Sequence, residues 1–496
     1  MAQVLAAPPM ESLIRPFGMP AGKQRLKAAG RTLQPFIRPV IAALLALALA
    51  TALWTLPQDL SETGRLALLV TGLAVIGWTL TPLPDSLVAI ASAVALVGLG
   101  VVAPDDLYAT LGKEMIWLLV AAFVIGAVLK ASGLVERLAL WATRPFANVT
   151  GLFFGLSCII AATAFLVPST SGRAALLLPV FFALADRMPD PRLVRPLALL
   201  FPTVILLSAG GSLIGAGAHF VAVDAIETLS GMSIDFFFWM LLALPFALLS
   251  SLAGVALILA LFVPADLRCL RVVDADQAAD EKTPLTLRQK RVGWAIAAIV
   301  GLWISIPLHG LDTAVIAIAG AALLLARAFT DLKPKDAFKS VETELLVFLA
   351  TASLIATGLT QSAADEWLAA GLIALLPASL AGSFPAVAAF AALVALAAHL
   401  AINSRSARAA VLIPAFAIPL AGLGHDPALL ILITVLGTGY CQTLMASAKP
   451  VALYGALERD TFEQTDLMRL ALPLLPVMFG LLVVFALYVW PLLLAV

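Results

Sequence analysis

The chain is predicted to be an all-α integral membrane protein of about eleven transmembrane helices plus two re-entrant hairpins, arranged as two inverted-topology repeats. Three observations lead there. The 496 residues are 62% hydrophobic and only 12% charged, with a mean hydropathy of +1.05, whereas a soluble domain is about 25% charged and 45–50% apolar. Apolar runs long enough to cross a bilayer, about 20 residues each, recur along nearly the whole chain. Finally, Ser169-Thr170-Ser171-Gly172-Arg173-Ala174-Ala175 is nearly repeated as Ser404-Arg405-Ser406-Ala407-Arg408-Ala409-Ala410, with a proline following each stretch at Pro179 and Pro414. Each copy puts hydroxyls and arginine inside apolar sequence.

Taken in order, residues 1–39 are polar, proline-bearing and basic (Arg15, Lys23, Arg25, Lys27, Arg31, Arg38), and read as a disordered cytoplasmic tail without a signal-peptide pattern. Apolar runs follow near 40–57 and 64–80, the N-terminal scaffold helices of 40–80, then near 85–102, 115–130, 196–219, 236–263, 292–308, 312–328, 343–360, 427–449 and 470–495. The blocks 148–185 and 381–421 are too long for one span and are interrupted at the serine–arginine cluster, so each reads as a hairpin entering and leaving on one side. Residues 264–291 form a charged cytoplasmic linker, and 292–308 a linking helix.

Charge fixes the orientation, because short cytoplasmic loops are rich in Lys and Arg. With the N-terminus in the cytoplasm, every loop Lys and Arg falls inside except Arg65 and Lys113, and Arg173, Arg405, Arg408 and Lys449 are left within membrane segments. External loops carry Asp105, Asp106, Asp224, Glu227, Asp365, Glu366 and Asp426. Making either hairpin a full crossing would invert every later loop and spoil this partition.

An internal repeat agrees. Asp85-Ser86-Leu87-Val88-Ala89-Ile90-Ala91 recurs as Asp312-Thr313-Ala314-Val315-Ile316-Ala317-Ile318, Glu136 and Leu138 recur as Glu366 and Leu368, and Pro179 as Pro414. On the charge-derived topology Asp85 opens its helix at the cytoplasmic side and Asp312 at the outer side. Repeat 1 therefore spans 81–263, with its hairpin at 148–185 and a broken helix at 196–228. Repeat 2 spans 309–496, with a hairpin at 381–421 and a broken helix at 427–456. The hairpin tips should meet near mid-bilayer.

From Thr81-Pro82-Leu83-Pro84 through Trp117-Leu118-Leu119, Gly133-Leu134 and the two clusters, the chain resembles the divalent-anion/sodium symporter family of sulfate, dicarboxylate and tricarboxylate carriers. The resemblance covers nearly everything after residue 40. It implies hairpin tips bearing Ser-Asn-Thr ten residues before a proline; here Ser169-Thr170-Ser171 and Ser404-Arg405-Ser406 occupy those places, so both asparagines are replaced. Ala209-Gly210-Gly211-Ser212-Leu213-Ile214-Gly215 is similar to the family's first glycine-rich helix break, and Ser447-Ala448-Lys449-Pro450 stands near its second. The resemblance further implies alternating access and a homodimer whose scaffold holds moving hairpins and broken helices.

Physical reasoning points to the same ligand class. A Lys or Arg near the bilayer centre costs about 2.5–3.5 kcal/mol and needs a partner, yet no Asp or Glu lies within these spans; Asp85 and Asp312 sit at helix starts. Bent hairpins and broken helices also expose N-terminal N–H groups that favour anions. The expected substrate-binding residues are Ser169, Thr170, Ser171, Arg173, Ser212, Ser404, Arg405, Ser406, Arg408 and Lys449. Arg405, at a position where the family's asparagine contacts substrate, reads as a direct oxyanion ligand or as neutralising carbonyls in place of an ion. Arg173 and Arg408 either hold the tips by bonding carbonyls or touch ligand; Lys449 contacts the anion or snorkels; the serines bind or cap.

Ser169, Ser171, Gly211 and Gly215 are candidates for a coupling ion, sodium by resemblance. Losing two asparagine amides and gaining the Arg405 charge leaves reduced sodium stoichiometry, proton coupling through His219 or His399, or anion exchange open. His309 and His425 fall in loops. Cys158, Cys269 and Cys441 form no metal-ligand spacing, and neither a cofactor nor a metal nor nucleic-acid binding is expected. The alternatives are an intramembrane serine enzyme, against which the paired clusters argue, and a sodium/proton antiporter, which needs an acid in the membrane. The expected partners are a small anionic substrate, the lipid bilayer and a second copy of the chain, and the expected location is a bacterial inner membrane.

Overall fold

The computed structural model describes residues 34–55, 59–142, 146, 148–271, 284–375, 382–457, 459 and 461–495. Most of the expected tail at 1–39 and the middle of the 264–291 linker lie outside the described residues. Among those described, regular structure is entirely helical, apart from an isolated antiparallel bridge between Asn148 and Arg271.

The helices are α1 (Gln34–Thr55), α2 (Glu62–Leu80), α3 (Asp85–Gly98), α4 (Pro104–Leu111), α5 (Glu114–Ser132), α6 (Leu134–Ala142), α7 (Val149–Ala162), α8 (Thr170–Ala185), α9 (Val194–Ser208) and α10 (Gly217–Ser230). There follow α11 (Phe236–Phe262), α12 (Leu287–Ile304), α13 (Thr313–Leu324), α14 (Thr343–Gln361), α15 (Ala364–Leu375), α16 (Phe384–Ala397), α17 (Arg405–Leu412), α18 (Pro427–Gly437), α19 (Lys449–Gly455) and α20 (Gln464–Val484). Their starts are set locally by side chains that accept otherwise orphaned backbone N–H groups. Ser61 accepts from Gly64, Asn148 from Gly151, Asp235 from Phe238, Asp312 from Val315 and Asp426 from Ala428, and Thr286 with Gln289 forms a capping box. Gly133 (φ 61°) and Gly231 (φ 67°) end α5 and α10 in the left-handed conformation.

Among the described residues, six helical stretches are long and apolar enough to cross a membrane: Glu62–Leu80, Pro104–Ser132, Pro191–Gly211, Phe236–Phe262, Thr343–Gln361 and Gln464–Leu494. Several expected spans are shorter as helices. The runs at 85–102 and 312–328 fold as Asp85–Gly98 and Thr313–Leu324, and 427–449 is helical only to Gly437. At the N-terminus α1 starts at Gln34, inside the segment expected to be irregular; Pro35, in the first turn, has no N–H that the helix would use.

The core is built around α9 and α18. Every residue of α9 from Pro196 to Ser208 is buried, as is every residue of α18 from Ala428 to Gly437. α9 packs on α7, α8 and α11, α18 on α16 and α10, and α11 on α20. Around them the packing is reciprocal: α3 lies on α14, and α5 on α13. Each of the two sequence halves thus supplies one member of each pair.

Candidate functional site

The two serine–arginine clusters fold as interruptions between successive helices. α7 and α8 flank the first, α16 and α17 the second. Both end in the same way: Ser169 Oγ accepts from the Gly172 N–H at 3.2 Å, and Ser404 Oγ from the Ala407 N–H at 3.3 Å. Beyond these points, two helices are broken: α9 stops at Ser208 and resumes as α10 at Gly217, and α18 stops at Gly437 and resumes as α19 at Lys449. Ala216 (φ −161°, ψ 149°) and Ala448 (φ −157°, ψ 144°) precede α10 and α19 in nearly identical extended conformations, and neither provides a side-chain cap.

A cavity of about 770 Å³ opens where these pieces meet. Ser169, Thr170, Ser171, Gly217, Ser404, Arg405, Ser406, Arg408 and Lys449 line it, so the first turns of α8, α10, α17 and α19 all face one space. The uncapped first turns of α10 and α19 leave backbone donors for a ligand, and four positive helix ends around one cavity favour an anion. Two glycines permit the approach. A Cβ on Gly217 would sit 2.7 Å from Ser406 Oγ, and one on Gly215 would sit 2.2 Å from the Ala209 carbonyl oxygen.

Three arginines hold this assembly. Arg173 is fully buried and donates from Nε to Thr163 Oγ1 (3.0 Å), from Nη1 to the Ile205 carbonyl (3.0 Å), and from Nη2 to the Ile160 carbonyl (2.7 Å) and Ser208 Oγ (2.9 Å). It ties the first hairpin arm to the C-terminal end of α9. Arg408, also fully buried, does the same in the second half, donating from Nη1 to the Ile402 carbonyl (3.1 Å) and from Nη2 to the Thr438 carbonyl (2.9 Å). Arg405 reaches between halves: Nε donates to Thr438 Oγ1 at 3.2 Å and Nη1 to the Leu206 carbonyl at 3.3 Å. Tyr454 on α19 makes a second link between halves, donating to the Ala174 carbonyl at 3.3 Å while stacked on Phe201. None of the ion pairs among the described residues involves Arg173, Arg405, Arg408 or Lys449.

Other expected residues lie behind the cavity wall. Arg173, Gly211, Ser212, Gly215, His219 and His399 are not among its lining. Ser212 and His219 are fully buried in and beside the first break, where His219 Nδ1 bonds the Ser212 carbonyl at 2.9 Å and its ring lies 5.0 Å from that of Trp239. His399 is spent on Leu396 and Thr443: Nδ1 meets the Leu396 carbonyl at 2.6 Å, and Nε2 meets Thr443 Oγ1 at 2.5 Å. The expectation that no carboxylate lies near the site is corrected. Asp85, Glu342 and Glu344 also line the cavity, at the starts of α3 and α14, where an acid complements the helix dipole. Ser86 Oγ donates to Glu344 Oε1 at 3.0 Å.

The sequence reading missed Asn403 and Cys441 in the cavity lining, and Thr438, which receives bonds from both Arg405 and Arg408. Asn403, directly before the second cluster, was legible as a polar residue at a bend. Thr438 was not, since its role depends on a contact with a segment 30 residues away.

Comparison with known proteins adds to this picture. The profile of a family described as sodium:sulfate symporter transmembrane region matches residues 39–496. A citrate/succinate antiporter of Escherichia coli is 24% identical over 359 residues, covering 68% of this chain and 72% of that protein. An uncharacterized transporter of Mycobacterium tuberculosis is 24% identical over 318 residues, covering 60% of this chain and 71% of its own. Among solved structures, the Alcanivorax borkumensis YdaH transporter superposes with a TM-score of 0.54 at 17% identity, over 76% of this chain and 86% of that one. Neisseria gonorrhoeae MtrF superposes with a TM-score of 0.54 at 13% identity, over 89% and 97%.

Proposed function

Because the chain belongs to the sodium:sulfate symporter family, we propose that it is a secondary carrier of small multivalent anions, of the dicarboxylate, tricarboxylate or sulfate type, working by alternating access without sodium. The observation that carries this reading is the convergence of four helix N-termini and Arg405 on one cavity. The citrate/succinate antiporter relative favours carboxylates as the first substrates to try.

Sodium independence rests on Arg173 and Arg408. A sodium ion bound between a hairpin and a helix end would need several oxygen ligands, and here carbonyl and hydroxyl oxygens from those elements already receive guanidinium N–H groups. Two built-in cations thereby do the electrostatic work of two bound ions. In this reading Arg173 positions the site from behind, Arg405 and Lys449 meet the anion, and Ser169, Thr170, Ser171, Ser404 and Ser406 with the uncapped turns of α10 and α19 complete its hydrogen bonds.

The finer architecture belongs to the same proposal: eleven crossings, two re-entrant hairpins, inverted repeats at 81–263 and 309–496, a homodimer, and a cytoplasmic N-terminus in a bacterial inner membrane. The reciprocal packing of α3 on α14 and α5 on α13 supports two equivalent halves. With that orientation the cavity, walled by the α2–α3 junction and the start of α14, opens to the cytoplasm. An intramembrane serine enzyme is disfavoured, because Ser169 and Ser404 cap helices and neither is bonded to a histidine or lysine among the described residues.

The test is uptake of labelled sulfate, succinate and citrate into proteoliposomes, with sodium replaced by choline, and with and without internal anion. Saturable uptake of one anion that is indifferent to sodium is expected. Strict sodium dependence would overturn the role given to Arg173 and Arg408; no uptake or exchange of any of the three would overturn the substrate class.

A further inference from the structure

The first helix break holds two polar atoms that the anion site leaves idle. His219 Nε2 and Ser212 Oγ are both buried and both lack a hydrogen-bond partner. The ring's other nitrogen settles its tautomer: Nδ1 faces two carbonyl oxygens, Ser212 at 2.9 Å and Leu213 at 3.3 Å, so it carries the hydrogen. Nε2 of the neutral ring is therefore a bare acceptor, and a buried acceptor left unsatisfied is destabilising. The Nδ1 bonds account for one edge of the ring and leave the Nε2 edge without a role.

From this geometry we infer that His219 binds a proton together with the transported anion, making the carrier a proton/anion symporter; the inference rests on the anion-carrier reading above. The groups around the ring support the linkage. Of the elements packed on α10, α18 and the turn Leu213–Gly215 carry no ionisable side chain, α14 carries Glu344, and α17 carries Arg405 and Arg408. α11, which supplies Trp239, carries none, and Asp224 and Glu227 lie toward the far end of α10 itself. Arg405, on the helix α17 that packs against α10, also lines the cavity.

Burial opposes a positive charge at His219 and the like charge of Arg405 adds to that opposition; an anion seated on Arg405 removes the like-charge part. Binding of either favours binding of the other by the same factor, as linkage requires. The proton comes from bulk water on the loading side, adds to the Nε2 lone pair without breaking any bond, and returns to bulk water after the anion leaves. Protonation turns Nε2 into a donor, and the face of Trp239, tilted 31° from the ring, offers the imidazolium a cation–π contact.

The experiment uses the full-length protein in detergent and in proteoliposomes, with sulfate as the probe because it stays divalent across the range, and succinate in parallel near pH 8. Calorimetric titration in two buffers of different ionisation enthalpy gives the protons taken up per anion, and the dissociation constant is measured between about pH 6 and pH 8. For the wild type we expect net proton uptake and an affinity that rises about tenfold or more as pH falls across that range. In His219→Asn, whose amide keeps the donor to the Ser212 carbonyl, and in His219→Gln, binding should persist while proton uptake and the pH slope vanish. A wild type that binds sulfate with no proton uptake overturns the inference, whatever the variants do. So do variants with an unchanged slope, or variants whose affinity falls equally at every pH, which mark a structural histidine. If neither of these anions nor citrate binds at all, the anion-carrier reading itself fails, and this inference with it.

Discussion

Arg405 and Arg173 carry the same charge in similar sequence surroundings, yet the structure gives them different work. A guanidinium has five N–H donors; Arg405 directs Nε and Nη1 to protein oxygens and borders the cavity, which leaves donors facing it. Arg405→Asn should therefore raise the KM for the transported anion about tenfold or more, the scale of one lost charge-assisted hydrogen bond of about 1.5–3 kcal/mol, while the protein stays folded. An unchanged KM would assign Arg405 to clamping Leu206 and Thr438. Arg173 differs because every bond it makes is internal. Arg173→Met should take the guanidinium donor from the buried Ile205 carbonyl and Ser208 hydroxyl and lower stability by about 2 kcal/mol or more, read as an earlier melting transition in detergent. Arg173→Lys should not restore it, since one ammonium cannot span acceptors set for a planar fork.

Among elements, the interruptions matter more than the helices. At Gly215 an added methyl would meet the Ala209 carbonyl, which is backbone and cannot swing aside. Gly215→Ala should therefore fail to accumulate as folded protein, whereas Gly217→Ala, which meets the movable Ser406 hydroxyl, should fold but lose most transport; size-exclusion profiles and uptake separate the two. These interruptions were largely legible in the sequence, because hydroxyls, glycines and prolines inside apolar runs have no other physical reason to be there. The hairpin clusters, the glycine-rich 209–215 stretch and the Lys449-Pro450 start could be read from composition alone. Their partners could not. Arg173 finds Ile205 through a backbone carbonyl, a group every residue has, and Thr438 looks like any threonine ending an apolar helix. The acids of the cavity lining were visible as Asp85 and Glu344 but fell at helix starts, where a dipole role accounts for them without reference to a cavity.

At the level of the whole molecule, Lys113, at the start of α5, forms an ion pair with Asp224 on α10, beside a small recess lined also by Thr110, Phe220 and Ser353. This links the start of α5 to α10, the second piece of the first broken helix. If the two slide past each other, joining Lys113→Cys to Asp224→Cys by a disulfide should abolish uptake, and reduction should restore it; transport that survives quantitative cross-linking would exclude relative motion there. Six long spans and the helical character of the described residues followed from hydropathy, but the early end of α18 did not, because a helix surrounded by protein is excused from the length that lipid imposes. That exemption has a further consequence. The apolar part of Pro191–Gly211 is almost wholly buried and that of Gln464–Leu494 mostly not, so acyl chains press chiefly on the outer shell, while the substrate-bearing interior has no bilayer thickness to match. Reconstitution into thinner or thicker membranes should accordingly alter how fast the carrier cycles and leave its affinity for the anion where it was.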